Sequence, residues 1–399
     1  MSLMKEYIER GQGAKDLEEE LLKLIGEYNK IRKTYLIIYA GAIGKPIPDI
    51  YLNIDDYYII YDLIRGVDSK QIDFYVESPG GDGAAAEELV RFLRKKFDNI
   101  DFVVSGTAKS AGTLLVLSGN NILMTESGSL GPIDAQLGIG RSIFSAYDYM
   151  DWVNSKREEA EKMGKLNPFD ATMVAQISPG ELKLVYHALE FAKDLVIEWL
   201  SKHKFKSWTI TQTRKIPVTD KMKHDRAAQI ASELANHARW RTHGRSIKID
   251  DLESLGLQIT KIDDDPKLAD IVYRIQTVIR LLFSSTTTYK IFATEKEKIF
   301  KQATPMVADP KIPSVSADVV ELETKCQKCG KTHKLYGKFI DNPQIDKDFR
   351  AKGAKQFPKD NRLICDCGFE INLNGPRNDI ESRIGKKMIF TDFNNKKEE

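Results

Sequence analysis

Between residues 35 and 125 the chain alternates short runs of β-branched and aromatic residues with amphipathic stretches, and this alternation restricts the fold more than any other feature. KTYLIIYA (33–40), IDFYVE (72–77), DFVVS (101–105) and NILMT (121–125) read as strands. The stretch at about 53–66 and AAAEELVRFLRKKF (84–97) read as helices, and GTAKSAGTLLVLSG reads as a Gly-rich turn opening a short apolar helix. Strands and helices in this rhythm predict βαβ units and a parallel sheet, with functional groups on the loops that follow the strands. Leu17, Leu21, Leu22, Ile25 and Ile31 predict a helix over about 14–34. Residues 142–240 read as mainly helical, with Ser178-Pro179 and Glu181 marking a capped helix start, and a further helix is expected over about 265–284.

Hydrophobic residues make up 42% of the chain and charged residues 30%, which suits a folded core and excludes a mostly disordered chain. Sixty basic residues against 58 acidic ones leave a net charge of +2, so no chain-wide field steers nucleic acid or an anionic membrane. The N-terminus is polar and no run approaches the ~18 apolar residues of a membrane span. The expectation is a cytoplasmic protein with no membrane span. A proline-rich linker is expected over 302–317 and a frayed tail at NNKKEE. The expected organisation is an N-terminal helix (1–34), a catalytic domain (35–300), a linker (301–320), a cysteine module (321–375) and a tail (376–399).

An enzyme that attacks an acyl carbon needs a nucleophile, a base and two N–H donors aimed at the developing oxyanion. Gly80 and Gly81, in SPGGD between a strand and a helix, allow bare backbone N–H groups to face a ligand. Ser110, in KSAGT, follows strand DFVVS at the start of the next helix. Taken alone, a Gly-Gly turn is an ordinary connection and a serine at a helix start is an N-cap. Their combination, each after a strand, points to a site.

VESPGGDG, followed by VVSGTAKSAGTLLVLSGNNILMTESGSLGPIDAQ, resembles the core of the ClpP/crotonase superfamily, most of all the serine dehydrogenase proteinases related to signal peptide peptidase A. WRTHGRSIKIDDLESLGLQI (240–259) is similar to the closing segment of that core. The resemblance spans about 35–285. It implies an α/β fold, a ClpP/crotonase-like spiral of ββα units with additional helices, and commonly homo-oligomers. It implies Ser110 as nucleophile, an oxyanion hole from the backbone at Gly80 and Gly81 with a second N–H from Ala111, and ATP-independent hydrolysis of peptides or unfolded protein.

The resemblance does not carry over a ClpP-type histidine: Asp134 stands at that position, and no histidine lies between Ser110 and His187. Asp134 either orients a base, binds a substrate group, or is a cap or turn residue after Gly131-Pro132. The signal peptide peptidase A relatives use a Ser-Lys dyad, and a lysine serves as base only where burial or positive charge lowers its pKa. Lys165 best fits the dyad register, Lys156 and Lys162 stand among glutamates, and His243 and His237 are the other options. Crotonase chemistry on acyl thioesters is disfavoured, because those enzymes place acidic residues at the catalytic turns. A catalytically inactive scaffold of the same fold is the alternative function.

All four cysteines lie in the last quarter, as Cys326-Gln-Lys-Cys329-Gly330 and Cys365-Asp-Cys367-Gly368. Two such knuckles supply the four tetrahedral ligands of a structural zinc ribbon, with no open position for catalysis; His333 could substitute for one ligand, and free or redox-active thiols are the alternative. Between 321 and 375 large apolar groups look too few for a core, so zinc is expected to hold the module together. Such a ribbon suits binding of substrate, a partner protein or nucleic acid.

Overall fold

The apolar runs form the strands β1 (Tyr35–Gly41), β2 (Gln71–Glu77) and β3 (Asn99–Val104). A computed structural model of the chain describes residues 2–139, 142–211, 213–303, 318–384 and 386–390, in two units that divide between Thr304 and Pro305. Of the expected linker (301–320), residues 304–317 lie outside the described residues, as does the expected tail (376–399) from 391 onward, whereas the first part of that tail belongs to helix Asn374–Ile384.

The first unit continues with β4 (Thr107–Ala108), β5 (Asn121–Met124), β6 (Ser129–Leu130), the hairpin β7 (Gln136–Ile139) and β8 (Ser142–Ser145), β9 (Thr260–Lys261), β10 (Thr288–Ala293) and β11 (Lys298–Gln302). Seven of these form one sheet in the order β11-β10-β1-β2-β3-β5-β9. The pairs from β1 to β9 are parallel, and β10 and β11 close one edge antiparallel. Successive side chains of a strand point to opposite faces. Ile37, Tyr39, Phe74 and Val76 therefore join a core beneath helices Ile54–Ile64, Gly83–Lys96 and Ala111–Leu117, whereas Leu36, Ile38, Tyr75 and Val103 face helices Ala14–Arg32 and Pro266–Ser285. Fully burying each such side chain contributes about 1.5–3 kcal/mol. The result is an α/β sandwich of helix, sheet and helix.

Helix Gly83–Lys96 begins at Asp82, whose side chain accepts from the Ala84 N–H, and buries Ala85, Ala86, Leu89, Val90 and Leu93. Helix Pro179–Trp199 begins as its sequence predicts, with the Ser178 hydroxyl accepting from the Glu181 N–H. Above the main sheet, β4 pairs with β6, and Ser78 bridges Ala108. The hairpin β7–β8 is not anticipated from the sequence, since four-residue alternations are too short to distinguish from loop.

The second unit contains β12 (Val319–Lys325) antiparallel to β13 (Thr332–Lys338), β14 (Lys355–Gln356) beside β13, and the pair β15 (Arg362–Ile364) and β16 (Glu370–Asn372). Helices Pro343–Ala351 and Asn374–Ile384 complete it. The sequence suggests too few apolar groups for a core, but the structure assembles one from Val320, Leu335, Phe339, Phe357, Leu363, Leu373, Ile380 and Met388. The last two come from beyond residue 375, which explains the discrepancy.

Candidate active site and cysteine centre

Ser110 occupies the turn between β4 and helix Ala111–Leu117 with φ +47° and ψ −118°, a region L-residues enter only under local constraint. Its hydroxyl makes no capping hydrogen bond, so the ordinary N-cap role is not the one it plays. Ala111 opens the helix, and its N–H, like those of any first turn, has no intrahelical acceptor.

Gly80 and Gly81 follow β2 with φ +108° and +144°. A Cβ on Gly80 would stand 2.7 Å from the Ser110 Cβ, and one on Gly81 would overlap the Leu52 backbone. Glycine is required at both positions for conformation and for space. Leu52 clamps the turn from the other side: its N–H donates to the Gly80 carbonyl (2.8 Å), and its carbonyl accepts from the Asp82 N–H (2.9 Å). The Gly80 N–H is used by the Ser78 hydroxyl (3.2 Å), whereas the Gly81 N–H has no acceptor among the described residues. Leu52 is in turn held by a buried ion pair, because the Lys290 ammonium binds Asp56 (2.7 Å) and donates to the Tyr51 carbonyl (2.9 Å). Neither Leu52 nor Lys290 could be tied to the turn from sequence, because both are remote from it along the chain.

Ser110 lines a cleft of 380 Å³ with Gly81, Ala111, Leu114, Ile133, Asp134, Leu137 and, from helix Pro179–Trp199, Phe191. A larger hollow of 630 Å³ lies at the opposite ends of the strands, among Asp62, Arg65, Asp68 and Glu295, far from these loops. Parallel sheets bind ligands outside the carboxyl ends of their strands, which favours the smaller cleft.

Asp134 is fully buried and accepts from three side chains: His243 Nδ1 (2.7 Å), His237 Nδ1 (2.8 Å) and Gln136 Nε2 (2.8 Å). Burial alone would raise its pKa, but the hydrogen bonds and charges of the two imidazoles outweigh it and hold the carboxyl below its usual value. The turn-residue reading of Asp134 thus gives way to that of an ionic hub.

The lysines fall elsewhere. Lys156 is held protonated by hydrogen bonds to Asp170 and Glu159, each 2.8 Å. Lys162 is exposed and pairs with Glu158 at 3.4 Å. Lys165 is exposed on the turn after helix Ala146–Met163 and is not among the residues lining the cleft. A lysine the sequence reading passed over, Lys109, precedes the serine. Its buried ammonium donates to the carbonyls of Leu130 (2.8 Å) and Arg245 (2.7 Å) and to the Ser246 hydroxyl (3.1 Å). Burial, with the nearby Lys248 charge, pulls its pKa down to about 8. The signal was a lysine wedged between small residues, AKSAG, where a flexible cation would otherwise crowd Ser110.

In the second unit Cys326, Cys329, Cys365 and Cys367 converge, with all four Sγ atoms within 4.8 Å of one another. The pairs Cys326–Cys367 and Cys329–Cys365 are 3.6 and 3.5 Å apart. Disulfides would require about 2.05 Å, whereas tetrahedral Zn–S bonds of ~2.3 Å place sulfurs about 3.8 Å apart. Gly330 (φ +75°) and Gly368 (φ +80°) turn the two knuckles, as their sequence positions predict. The four thiols fit a structural zinc ion with no position left open.

Residues 22–160 match the family described as ClpP-like SDH-type serine proteinase. MJ0137, an uncharacterised protein of Methanocaldococcus jannaschii, is 31% identical over 131 residues, 31% of this chain and 46% of that protein, so the match spans about half the relative's length. A second uncharacterised protein of that organism, MJ1495, is 24% identical over 60% of this chain and 70% of its own length. Among solved structures, a mutant of 1510-N, a membrane-bound stomatin-specific protease, aligns with TM-score 0.32 and 14% identity over 55% of this chain and 79% of that one. Another 1510-N mutant, in complex with a substrate peptide, aligns with TM-score 0.31 and 15% identity over 54% and 72%. No described helix is long and apolar enough to cross a membrane. The matched segment, residues 22–160, holds the Gly80-Gly81 turn and Ser110 and likens this part of the chain to the ClpP-like SDH-type serine proteinases.

Proposed function

We propose that the first unit is a serine peptidase that hydrolyses peptide bonds without ATP, with Ser110 as nucleophile. The observation that carries this reading is the uncapped Ser110 hydroxyl, in a strained positive-φ turn, facing a cleft beside N–H groups with no acceptor among the described residues. The Gly81 and Ala111 N–H groups suit the oxyanion role, while Gly80 allows the close approach of the two turns. Leu114, Ile133, Leu137 and Phe191 suit an apolar side chain of an extended peptide or unfolded protein. A Ser-Lys dyad through Lys165 is not the form this reading takes, because Lys165 is exposed and does not line the Ser110 cleft. Met163, Phe169, Met173 and Leu184 leave apolar surface exposed, which suits self-association. The second unit, in this reading, is a structural zinc module that engages substrate, a partner protein or nucleic acid.

A fluorophosphonate probe tests the central claim, because only an activated serine labels. Labelling and peptide hydrolysis are expected in the wild type and should both vanish in Ser110→Ala, which removes only a hydroxyl and leaves the melting transition in place. A wild type that neither labels nor cleaves would instead identify a catalytically inactive scaffold of the same fold.

A further inference from the structure

We infer that His243 is the general base for Ser110 and Asp134 its orienting carboxylate, giving a triad in the chain order Ser–Asp–His. This rests on Ser110 being the nucleophile. Three placements connect His243, which is not itself among the residues lining the cleft, to Ser110 through Asp134 and Lys109. Asp134 lines the same cleft as Ser110. His243 donates to Asp134 Oδ1 through Nδ1 at 2.7 Å; a carboxylate only accepts, so the proton sits on Nδ1 and Nε2 carries the lone pair. The segment after His243 is fastened to the residue before the nucleophile, since the Lys109 ammonium binds the Arg245 carbonyl and the Ser246 hydroxyl. Ile247 extends that attachment by exchanging two backbone hydrogen bonds of 3.0 Å with Leu130 of β6.

His237 is distinguished from His243 by its second nitrogen. His237 Nε2 lies 3.4 Å from Asp148, whereas His243 Nε2 has no partner among the described residues and its ring is partly exposed. His237 and Gln136 act as positioning residues, filling the remaining capacity of Asp134 and fixing its carboxyl plane. Lys109 is unsuited to the base role because its ammonium already donates to three acceptors, two of them backbone carbonyls. It is an anchor that joins the His243 segment to the nucleophile turn.

In the acylation step Ser110 Oγ bonds to the scissile carbonyl carbon as its proton passes to His243 Nε2, and the carbonyl π pair moves to oxygen, facing the Gly81 and Ala111 N–H groups. Collapse breaks the C–N bond, and His243 returns the proton to the departing amine. Water then repeats the sequence on the acyl ester, its proton passing through His243 to Ser110 Oγ, which releases the acid.

The test is the rate of fluorophosphonate labelling of the full chain. His243→Ala should slow labelling by about 10²–10⁴-fold, and added imidazole should recover part of that loss, a rescue that a structural defect would not show. Lys165→Met should label as the wild type does. His243→Gln fills the same space and carries the test should His243→Ala lose its cooperative melt. Wild-type labelling by the folded His243 variants, or loss confined to Lys165→Met, would overturn the assignment while leaving Ser110 as nucleophile. A wild type that does not label at all would overturn both.

Discussion

Replacing Gly80 by alanine probes the contact between the two turns of the site. The added Cβ would stand 2.7 Å from the Ser110 Cβ and 3.1 Å from the Lys109 carbonyl oxygen. Carbon atoms rest at about 3.5–4.0 Å, so Ser110 must retreat by roughly 0.8 Å or more. A misplacement of about 1 Å at a reacting centre costs on the order of 10² in rate. The φ of +108° adds about 1–3 kcal/mol of backbone strain in its own right. Gly80→Ala should therefore lower peptide turnover and fluorophosphonate labelling by about 10²-fold, with a melting temperature several degrees lower. Gly44 separates the two effects, because its φ is +96° and a Cβ added there would meet nothing within 4 Å. Gly44→Ala should lose stability and keep its rate. If Gly80→Ala turned over at the wild-type rate, the apposition of Gly80 and Ser110 would have no catalytic meaning.

Burial lifts the Glu77 carboxyl to about 7 in spite of the Arg280 guanidinium at 2.5 Å and the Tyr75 hydroxyl. Because the folded value is raised, the native state keeps a proton that the unfolded chain has released above about 4.5. Stability attributable to Glu77 is therefore present below about pH 4.5 and falls by up to ~3 kcal/mol as pH rises towards 7. Denaturant titrations should show that slope in the wild type and not in Glu77→Gln; parallel curves for the two would refute it. Elemental analysis should find one zinc per chain. Chelation, or Cys326→Ser with Cys329→Ser, should abolish the thermal transition of the second unit and leave that of the first, as expected where metal binding is coupled to folding. Metal-free protein whose four thiols react readily while folded would exclude zinc.

The information legible in the letters of this chain is local. The alternation of strand and helix periods in 35–125 set the parallel sheet, and the glycines at 80 and 81 marked a turn whose φ values no other residue adopts comfortably. Ser110 was legible from its place between a strand and a helix, and the four cysteines from the spacing of their knuckles. Periodicity, turn chemistry and ligand spacing act over a few residues, so a single sequence suffices to show them. The sheet decided the rest by bringing separate loops to one end. His237 and His243 reach Asp134 across 103 and 109 residues. Leu52 clamps the glycine turn, and Lys290 reaches back across 234 residues to Asp56. Lys109 reads as one cation among sixty until its surroundings make it a buried tether. Charge pairing and burial depend on distances through space, and those exist only once the strands have taken their order.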